Sequence, residues 1–230
     1  MAVNYQEMKE RAAFAAVDEI QSGMIVGLGS GSTARLMVEE VGRRLRSGQL
    51  GHIDAIPTSA ATAAQARQLQ IPLTTLDQRP HIDLTIDGAD EIDPQLDVIK
   101  GLGGALLREK IVAAASARFI IIADERKLVQ RLCSRSPLPV EVIPFAQRPV
   151  AIFLRGLGAR PAVRRENGQN FVTDEGNIII DCHFAALDDP YHLAQQIIAH
   201  PGVVEHGLFL GLVTEAIVAT PAEVKKFKLA

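Results

Sequence analysis

Residues 24–41 read MIVGLGSGSTARLMVEEV, and this stretch predicts a strand, a glycine-rich loop and a helix in immediate succession. The run Met24–Leu28 is short and apolar and ends at glycines, which is typical of a strand buried on both faces. From Ser32 to Arg46 the apolar residues recur at helical spacing. Glycines let the loop backbone approach a ligand, and the amides at the start of a helix attract an anion. A tight turn with a helix N-cap explains the same residues.

The ligand that this loop favours is a single phosphate. The dinucleotide fingerprint GxGxxG needs its third glycine where Ser32 stands, and the Walker A loop needs a Gly-Lys pair that this segment lacks. Amides and hydroxyls for one phosphate are available from Ser30, Gly31, Ser32 and Thr33.

The alternation of strands and helices continues over the first 130 residues. Further strands are predicted at Ile53–Pro57, Pro72–Thr75, Ile82–Ile86 and Phe119–Ala123, and further helices at about Tyr5–Gln21, Ser59–Leu69 and Gly104–Ala117. Short apolar strands separated by helices indicate βαβ units in a mostly parallel sheet. The sequence therefore predicts a Rossmann-like α/β domain.

The pattern changes after the loop Cys133–Pro139. The elements expected there are strands at Val140–Ile143, Ala162–Arg165, Asn177–Cys182 and Gly202–Glu205, and helices at Ala146–Leu157 and Tyr191–His200. A short run, Phe171–Thr173, should pair across an Asp-Glu-Gly turn with the strand that follows. The order βαββαβ predicts a smaller ferredoxin-like α+β domain. We expect residues 1–132 plus 207–230 to form the Rossmann-like domain and residues 133–206 the ferredoxin-like one.

Composition favours a globular protein of the cytoplasm. Of 230 residues, 47% are hydrophobic and 22% charged, which is unlike a disordered chain. Lys and Arg number 24 against 27 Asp and Glu, so no basic excess favours nucleic acid. The N-terminus lacks the features of a signal peptide, and the most apolar stretch, Ile111–Ala123, is far shorter than the about 20 residues that span a bilayer. We expect neither a nucleic-acid partner nor a membrane.

An acidic segment, TIDGADEID at Thr85–Asp93, follows a predicted strand. Ligands of open α/β sheets bind outside the carboxyl ends of strands, and crowded carboxylates can become proton-transfer groups. The carboxylates are Asp87, Asp90, Glu91 and Asp93. A solvated Asp-Gly turn and a cation site are the alternatives, although the spacing does not match a calcium loop.

A third segment, KGLGGALLREK, occupies Lys100–Lys110. One lysine followed by glycines that open a helix is an arrangement suited to stabilising an oxyanion. Glu109 shares its helix face with Val112 and Ala113, so it is either a general base on an apolar stripe or an ordinary surface residue. Lys127 follows another strand. Neither the two cysteines nor the six histidines show ligand spacing, so no metal site is predicted.

Together these segments resemble the type A family of ribose-5-phosphate isomerases. The matching motifs lie in family order over nearly the whole chain: GLGSGST from Gly27, PTS at Pro57–Ser59, DGADEID from Asp87, KGLGGALLREK, ADERK at Ala123–Lys127, LPVEVIPFA at Leu138–Ala146, TDEGNIIID at Thr173–Asp181 and PGVVEHGLF at Pro201–Phe209.

The resemblance implies an aldose–ketose isomerase of a sugar phosphate, in the non-oxidative branch of the pentose phosphate pathway, without metal or organic cofactor. It also implies a homodimer or homotetramer. The implied catalytic residues are Glu109 as the base, Lys100 at the oxyanion, and Asp87 and Asp90 at sugar hydroxyls. The implied substrate-binding residues are Ser30, Gly31, Ser32, Thr33, Asp87, Gly88, Ala89, Asp90, Lys100, Gly101, Leu102, Gly103 and Lys127.

One position departs from the family pattern. Leu102 stands where the family frequently has glycine or a basic residue, so only its backbone N–H could serve a substrate. Two other functions compete with the isomerase. A sugar-phosphate deaminase or lactonase should not show the Lys100 to Glu109 segment, and a non-catalytic sugar-phosphate sensor should carry a DNA-binding segment or have lost the base.

Overall fold

A computed structural model describes residues 4–228 and divides the chain into two compact units. The first contains the residues up to Ala89, Arg108–Lys127 and the segment from Leu212 onward, and the second contains Asp90–Leu107 and Leu128–Gly211. This division differs from the predicted domain boundaries, which assigned residues 90–107, 128–132 and 207–211 to the first domain. The predicted domains also included residues 1–3 and 229–230, which lie outside the described residues.

The helices and strands have the following bounds. The helices are α1 (Tyr5–Val17), α2 (Ser32–Ser47), α3 (Ala60–Gln68), α4 (Leu106–Ala114), α5 (Gln147–Gly156) and α6 (Pro190–Ile198), with 3₁₀ turns at Glu125–Lys127 and Pro144–Ala146. The strands are β1 (Ile25–Leu28), β2 (Asp54–Pro57), β3 (Ile82–Gly88), β4 (Glu91–Ile92), β5 (Val98–Ile99), β6 (Ser116–Asp124), β7 (Leu138–Val142), β8 (Arg160–Val163), β9 (Arg165–Glu166), β10 (Gln169–Asn170), β11 (Ile178–His183), β12 (Val203–His206), β13 (Leu208–Phe209), β14 (Glu215–Ala219) and β15 (Val224–Lys228).

The first unit is built on a six-stranded sheet with the order β15-β14-β6-β3-β1-β2. Its neighbours pair in parallel, except that β15 runs antiparallel to β14. Met37 and Val41 of α2 pack in one core with Leu84 and Ile120 of the sheet. This confirms the predicted Rossmann-like, mostly parallel sheet. Because β1, β3 and β6 are parallel, the loops that follow them leave from the same edge of the sheet.

Helix α2 illustrates why these residues form these elements. Its buried residues include Ala34, Met37, Val38 and Val41, the i, i+3, i+4, i+7 spacing of one helix face. Gly48 ends the helix in the left-handed region, with φ of 73°. The helix therefore begins directly at the glycine loop and runs over the sheet.

The second unit contains a four-stranded antiparallel sheet with the order β12-β7-β11-β8. With α5 and α6 it gives the predicted βαββαβ order, and Val140, Leu154 and Ile197 share its core. The ferredoxin-like prediction is confirmed. A hairpin of β9 and β10, which turns at Asn167 and Gly168 with positive φ angles, was not predicted.

Three predicted elements were wrong in detail. The run Phe171–Thr173 does not form a strand beside β11; only an isolated bridge joins Val172 to Ile178. The segment Pro72–Thr75 is not a strand; only an isolated bridge joins Leu73 to Ala55. Proline has no N–H for a ladder, which limits pairing there. Helix α4 begins at Leu106 rather than Gly104, because Gly104 has a φ of 86°, outside the helical region. Among the described residues, no helix has the length and apolar character needed to cross a membrane.

Candidate active site

The glycine loop of the first unit is joined to the end of β3 by the Asp87 carboxylate. Asp87 is fully buried, and its Oδ1 accepts hydrogen bonds from the amides of Ser30 (3.0 Å) and Gly88 (2.7 Å). A Cβ on Gly29 would lie 2.3 Å from the same carboxyl group, so only glycine permits this approach. The loop after β1 and the acid after β3 were predicted separately, and the structure brings them into contact.

The start of α2 offers an anion-binding arrangement. Gly31 caps the helix with a φ of 95°, and it has no side chain to offer the amides of the first turn. Lys9 of α1 donates from Nζ to Ser32 Oγ at 3.0 Å, which adds a positive charge beside the first helical residue. Sequence reasoning missed Lys9, because 23 residues separate it from the loop and nothing in the helical pattern of α1 distinguishes it.

Behind the loop lies a cluster of hydroxyl groups. Ser30 Oγ is 2.8 Å from both Thr58 Oγ1 and Ser59 Oγ and 3.1 Å from Thr62 Oγ1. The Ser30 side chain is therefore engaged within the protein, as its amide is with Asp87, and a role of Ser30 in substrate binding stays a prediction. The motif PTS indicated two of these partners, whereas Thr62 carried no sequence signal of its own.

In the first unit, Glu109 is buried although its sequence neighbours are charged. Its exposed fraction is 4%, and Val112 and Ala113 of the same helix are also buried, whereas Ile111 is 47% exposed. The sequence left two interpretations of Glu109 open, a general base and an ordinary surface residue. Its burial contradicts the second. A carboxylate in such surroundings is suited to exchanging a proton with a bound substrate.

The last site segment of the first unit follows β6. Lys127 is half-buried in the 3₁₀ turn Glu125–Lys127. Burial would raise the pKa of neighbouring Asp124, but hydrogen bonds from Arg126 outweigh it and lower that pKa. This end of the strand therefore keeps a charged carboxylate next to its cations.

In the second unit, Lys100 is buried, with an exposed fraction of 2%. Its amide donates to the Gly207 carbonyl at 2.9 Å, and its ammonium lies 5.5 Å from the centroid of the Phe209 ring. Asp90 lies nearby in the fold: its Oδ2 accepts the Leu102 amide at 3.0 Å. From the sequence, the Leu102 N–H was the only group of this residue that could serve a substrate. In the structure this N–H is bonded to Asp90.

The other two acids of the acidic segment serve the backbone of the second unit. Glu91 Oε1 accepts the amides of Arg135 and Ser136, each at 2.6 Å. Asp93 Oδ1 accepts the amides of Gln95 and Asp97, and burial raises the Asp93 pKa. Among residues 4–228, no group of three or more His, Cys, Asp or Glu side chains is arranged to hold a metal ion.

The predicted site residues are divided between the units. Those in the first unit are Ser30, Gly31, Ser32, Thr33, Asp87, Gly88, Ala89, Glu109 and Lys127, and those in the second are Asp90, Lys100, Gly101, Leu102 and Gly103. The first group offers an anion cradle and a buried carboxylate. The second offers a buried ammonium beside a glycine-rich backbone.

Comparisons with known proteins agree with these features. A family model, ribose 5-phosphate isomerase A (phosphoriboisomerase A), matches residues 54–223. Ribose-5-phosphate isomerase A of Roseiflexus sp. (strain RS-1) is 56% identical over 214 residues, which are 93% of this chain and 92% of the relative. The solved ribose 5-phosphate isomerase A of Methanocaldococcus jannaschii superposes with a TM-score of 0.93 and 40% identity, covering 97% of this chain and 99% of that one.

A second solved structure, of D-ribose-5-phosphate isomerase in complex with phospho-erythronic acid, has a TM-score of 0.96 and 39% identity, covering 99% of this chain and 100% of that one. The match of the family model and the identity to the curated relative extend over most of the chain. The chain therefore belongs to the ribose-5-phosphate isomerase A family.

Proposed function

We propose that this protein interconverts ribose 5-phosphate and ribulose 5-phosphate, an aldose–ketose isomerisation. Its family membership supports this assignment. The relatives are named ribose-5-phosphate isomerase A, and the similarity extends over nearly their full length. The observation in the chain itself that carries the proposal is the burial of Glu109 and Lys100, a carboxylate and an ammonium within the segment that resembles the family's catalytic motif.

The proposed chemistry proceeds through an enediolate. Glu109 removes the proton from C2 of the open-chain aldose, the electrons of that C–H bond form a C1–C2 double bond, and the aldehyde oxygen becomes an oxyanion. The Lys100 ammonium and the amides of Gly101 and Gly103 stabilise this charge. Glu109 then returns the proton to C1, and the proton of the C2 hydroxyl passes to the C1 oxyanion, so that the C2 oxygen becomes the ketone oxygen and C1 carries a hydroxyl. Asp87 and Asp90 contact sugar hydroxyls and assist those hydroxyl proton transfers.

Phosphate binding is assigned to the start of α2. The amides of Ser32 and Thr33 follow the Gly31 cap, and Lys9 supplies a cation beside Ser32. Lys127 provides a second positive charge for binding the substrate. A phosphate fixed away from the reacting carbons would orient C1 and C2 for proton transfer.

Three further statements belong to the same proposal. We assign the reaction to the non-oxidative branch of the pentose phosphate pathway, the protein to the cytoplasm, and its assembly to a homodimer or homotetramer. The family resemblance supports the pathway and the assembly. Burial of both thiols agrees with a reducing compartment, and it raises the pKa of Cys133 to about 12.

The test is incubation of the purified protein with ribose 5-phosphate while ketose formation is followed. Sustained conversion to an equilibrium mixture of aldose and ketose phosphates is expected, and ribulose 5-phosphate should give the reverse reaction. Release of ammonia from an amino sugar phosphate, or ring opening of a lactone, without ketose formation would contradict the proposal in favour of a deaminase or lactonase.

A further inference from the structure

We infer that Arg164 is a positioning residue, which holds the carbonyls of Gly101 and Leu102 so that the Gly103 amide faces the developing oxyanion. The inference rests on the proposed isomerase function and assigns to that site a residue from the loop between β8 and β9. All the contacts that support it lie within the second unit.

Arg164 binds two consecutive carbonyls of the oxyanion segment. Its Nη1 donates to the Gly101 oxygen at 3.0 Å and to the Leu102 oxygen at 2.9 Å. Asp90 holds the amide between these carbonyls, since its Oδ2 accepts the Leu102 N–H. The peptide unit from Gly101 to Leu102 is thus held at both edges, by a cation on its oxygen and by a carboxylate on its nitrogen.

The second contact fixes the direction of the Gly103 amide. In a trans peptide the C=O and the following N–H point to opposite sides of the chain. When Arg164 binds the Leu102 carbonyl, the Gly103 N–H must therefore point away from the guanidinium. A cation on a peptide oxygen also polarises that peptide and strengthens its N–H as a hydrogen-bond donor.

This segment needs such support because its residues are conformationally permissive. Gly101 and Gly104 both have positive φ angles, 102° and 86°, and a glycine backbone without side-chain restraint has many accessible conformations. Phe171 packs on the far end of the segment, where a Cβ on Gly104 would lie 2.3 Å from the ring. An oxyanion site is effective when its donors are already aligned before reaction.

Arg164 is itself firmly held. Its Nε donates to Asp181 Oδ2 at 3.0 Å and its Nη2 to Oδ1, a two-point contact with a carboxylate on β11. The side chain is 13% exposed, and its guanidinium carbon lies 5.7 Å from the centroid of the Phe171 ring. Its backbone amide donates to the Ile179 carbonyl, which continues the pairing of β8 with β11. The four-stranded sheet thus provides a rigid support for the loop.

An arginine suits this position better than a lysine. The planar guanidinium binds both oxygens of Asp181 on one edge and the two carbonyls on another, whereas an ammonium cannot present donors in that fixed arrangement. Arg164→Lys should therefore retain the ion pair with Asp181 and much of the stability of the fold, but lose the alignment of the Gly101 and Leu102 carbonyls.

The experiment compares Arg164→Lys with the wild type and with Arg165→Lys, a control in which the neighbouring, exposed arginine is changed. For each protein kcat and KM are measured with ribose 5-phosphate, the dissociation constant is measured for 4-phospho-erythronate, and Tm is recorded. The probe carries a carboxylate in place of the reacting carbons, so it tests binding of negative charge at that point without turnover.

For Arg164→Lys we expect kcat to fall by about 10–10²-fold with KM changed by less than about threefold, because alignment acts mainly in the transition state. The dissociation constant of 4-phospho-erythronate should rise by a similar factor, while Tm and the Arg165→Lys control stay close to wild type. Asp181→Asn, which weakens the support of Arg164, should lower kcat in the same direction and by less.

Wild-type kcat and probe affinity in both Arg164→Lys and Asp181→Asn would overturn the inference. The inference would also be overturned if kcat and probe affinity fell only in proportion to the fraction of unfolded protein, since a purely structural ion pair predicts that result. Failure of the proposed function gives a different outcome, in which the wild-type protein itself does not convert ribose 5-phosphate.

Discussion

At the residue scale, Glu109 lies buried between two charged neighbours in the sequence, and its carboxylate is the proposed base. Glu109→Gln keeps the shape and hydrogen-bonding capacity of the side chain but cannot accept the substrate proton. We expect kcat to fall by about 10²–10⁴-fold with little change in KM, and the folded structure to persist. Steady-state kinetics and exchange of the C2 hydrogen in deuterium oxide measure both effects.

The matched control for this prediction is Glu39→Gln, which alters an exposed glutamate on α2. It should leave kcat and the exchange rate at wild-type values. If Glu109→Gln continues to exchange the C2 hydrogen, the base lies elsewhere, and Asp87 and Asp90 become the next candidates.

Gly207 is a residue on which the stability of the fold depends, because its backbone packs closely against Lys100. A Cβ there would lie 2.2 Å from the Lys100 carbonyl oxygen and 2.8 Å from Pro139. Gly207→Ala should therefore force the backbone away from Lys100 and destabilise the protein by about 1–3 kcal/mol, as overpacking does. Urea denaturation measures the change in unfolding free energy, and kcat should fall as Lys100 moves.

A second glycine in the same unit provides the comparison. A Cβ on Gly156, the last residue of α5, would meet open space, so Gly156→Ala should be neutral or slightly stabilising. Equal stability of the two variants would show that the approach of Gly207 to Lys100 is not a constraint on the fold.

At the scale of secondary-structure elements, Glu40 binds two arginines of α2, one of which, Arg44, joins α2 to the end of α1. Its carboxylate accepts hydrogen bonds from Arg43 and Arg44, and Arg44 also reaches Asp18 after α1. The hydrogen bond from Arg43 is the largest cause of a Glu40 pKa lowered to about 2, and that from Arg44 adds to it against the opposing effect of burial. The folded state therefore favours ionised Glu40 more strongly than the unfolded chain does.

This linkage predicts how stability depends on pH. Because the folded pKa lies below the unfolded value, the contribution of Glu40 is complete above about pH 5 and is lost as the pH falls toward 2. Glu40→Gln should be less stable than wild type by about 1–3 kcal/mol at pH 7, and the difference should shrink steadily between about pH 5 and pH 2. Denaturation across that range measures it, and a difference independent of pH would contradict the assignment.

The same scale shows how much the sequence predicts. Helices such as α2 were predictable from the helical spacing of their apolar residues, and the parallel strands from short apolar runs, because both patterns reflect burial on the sheet. The strands β4, β5 and β13 were not, since each has only two residues and no detectable period. The loop, acid and lysine motifs of the site were predictable from local residue types. Lys9, Thr62 and Arg164 were not, because their roles arise from contacts with residues that are distant in the sequence.

At the scale of the whole molecule, the groups assigned to phosphate and those assigned to the oxyanion are separate in the chain and belong to different units. In the proposed substrate the phosphate is on C5 and the reaction occurs at C1 and C2, so binding energy from the phosphate must assist chemistry at carbons remote from it. Enzymes that use remote binding energy in this way lose turnover, and not only affinity, when the remote group is removed. We expect ribose to be isomerised with a kcat/KM lower than that of ribose 5-phosphate by several orders of magnitude, on the order of 10³-fold or more.

Lys9 makes this prediction specific to the start of α2. Lys9→Met removes the cation beside Ser32, so kcat/KM for ribose 5-phosphate should fall by about tenfold or more, since a charged hydrogen bond contributes roughly 1.5–3 kcal/mol. The rate with ribose, which has no phosphate to lose contact with, should stay unchanged. Parallel assays of both sugars with both proteins measure the ratio. An equal loss of kcat/KM for ribose and ribose 5-phosphate would mean that Lys9 supports the fold or the chemistry in general. Comparable wild-type rates with both sugars would mean that the phosphate takes no part in substrate recognition.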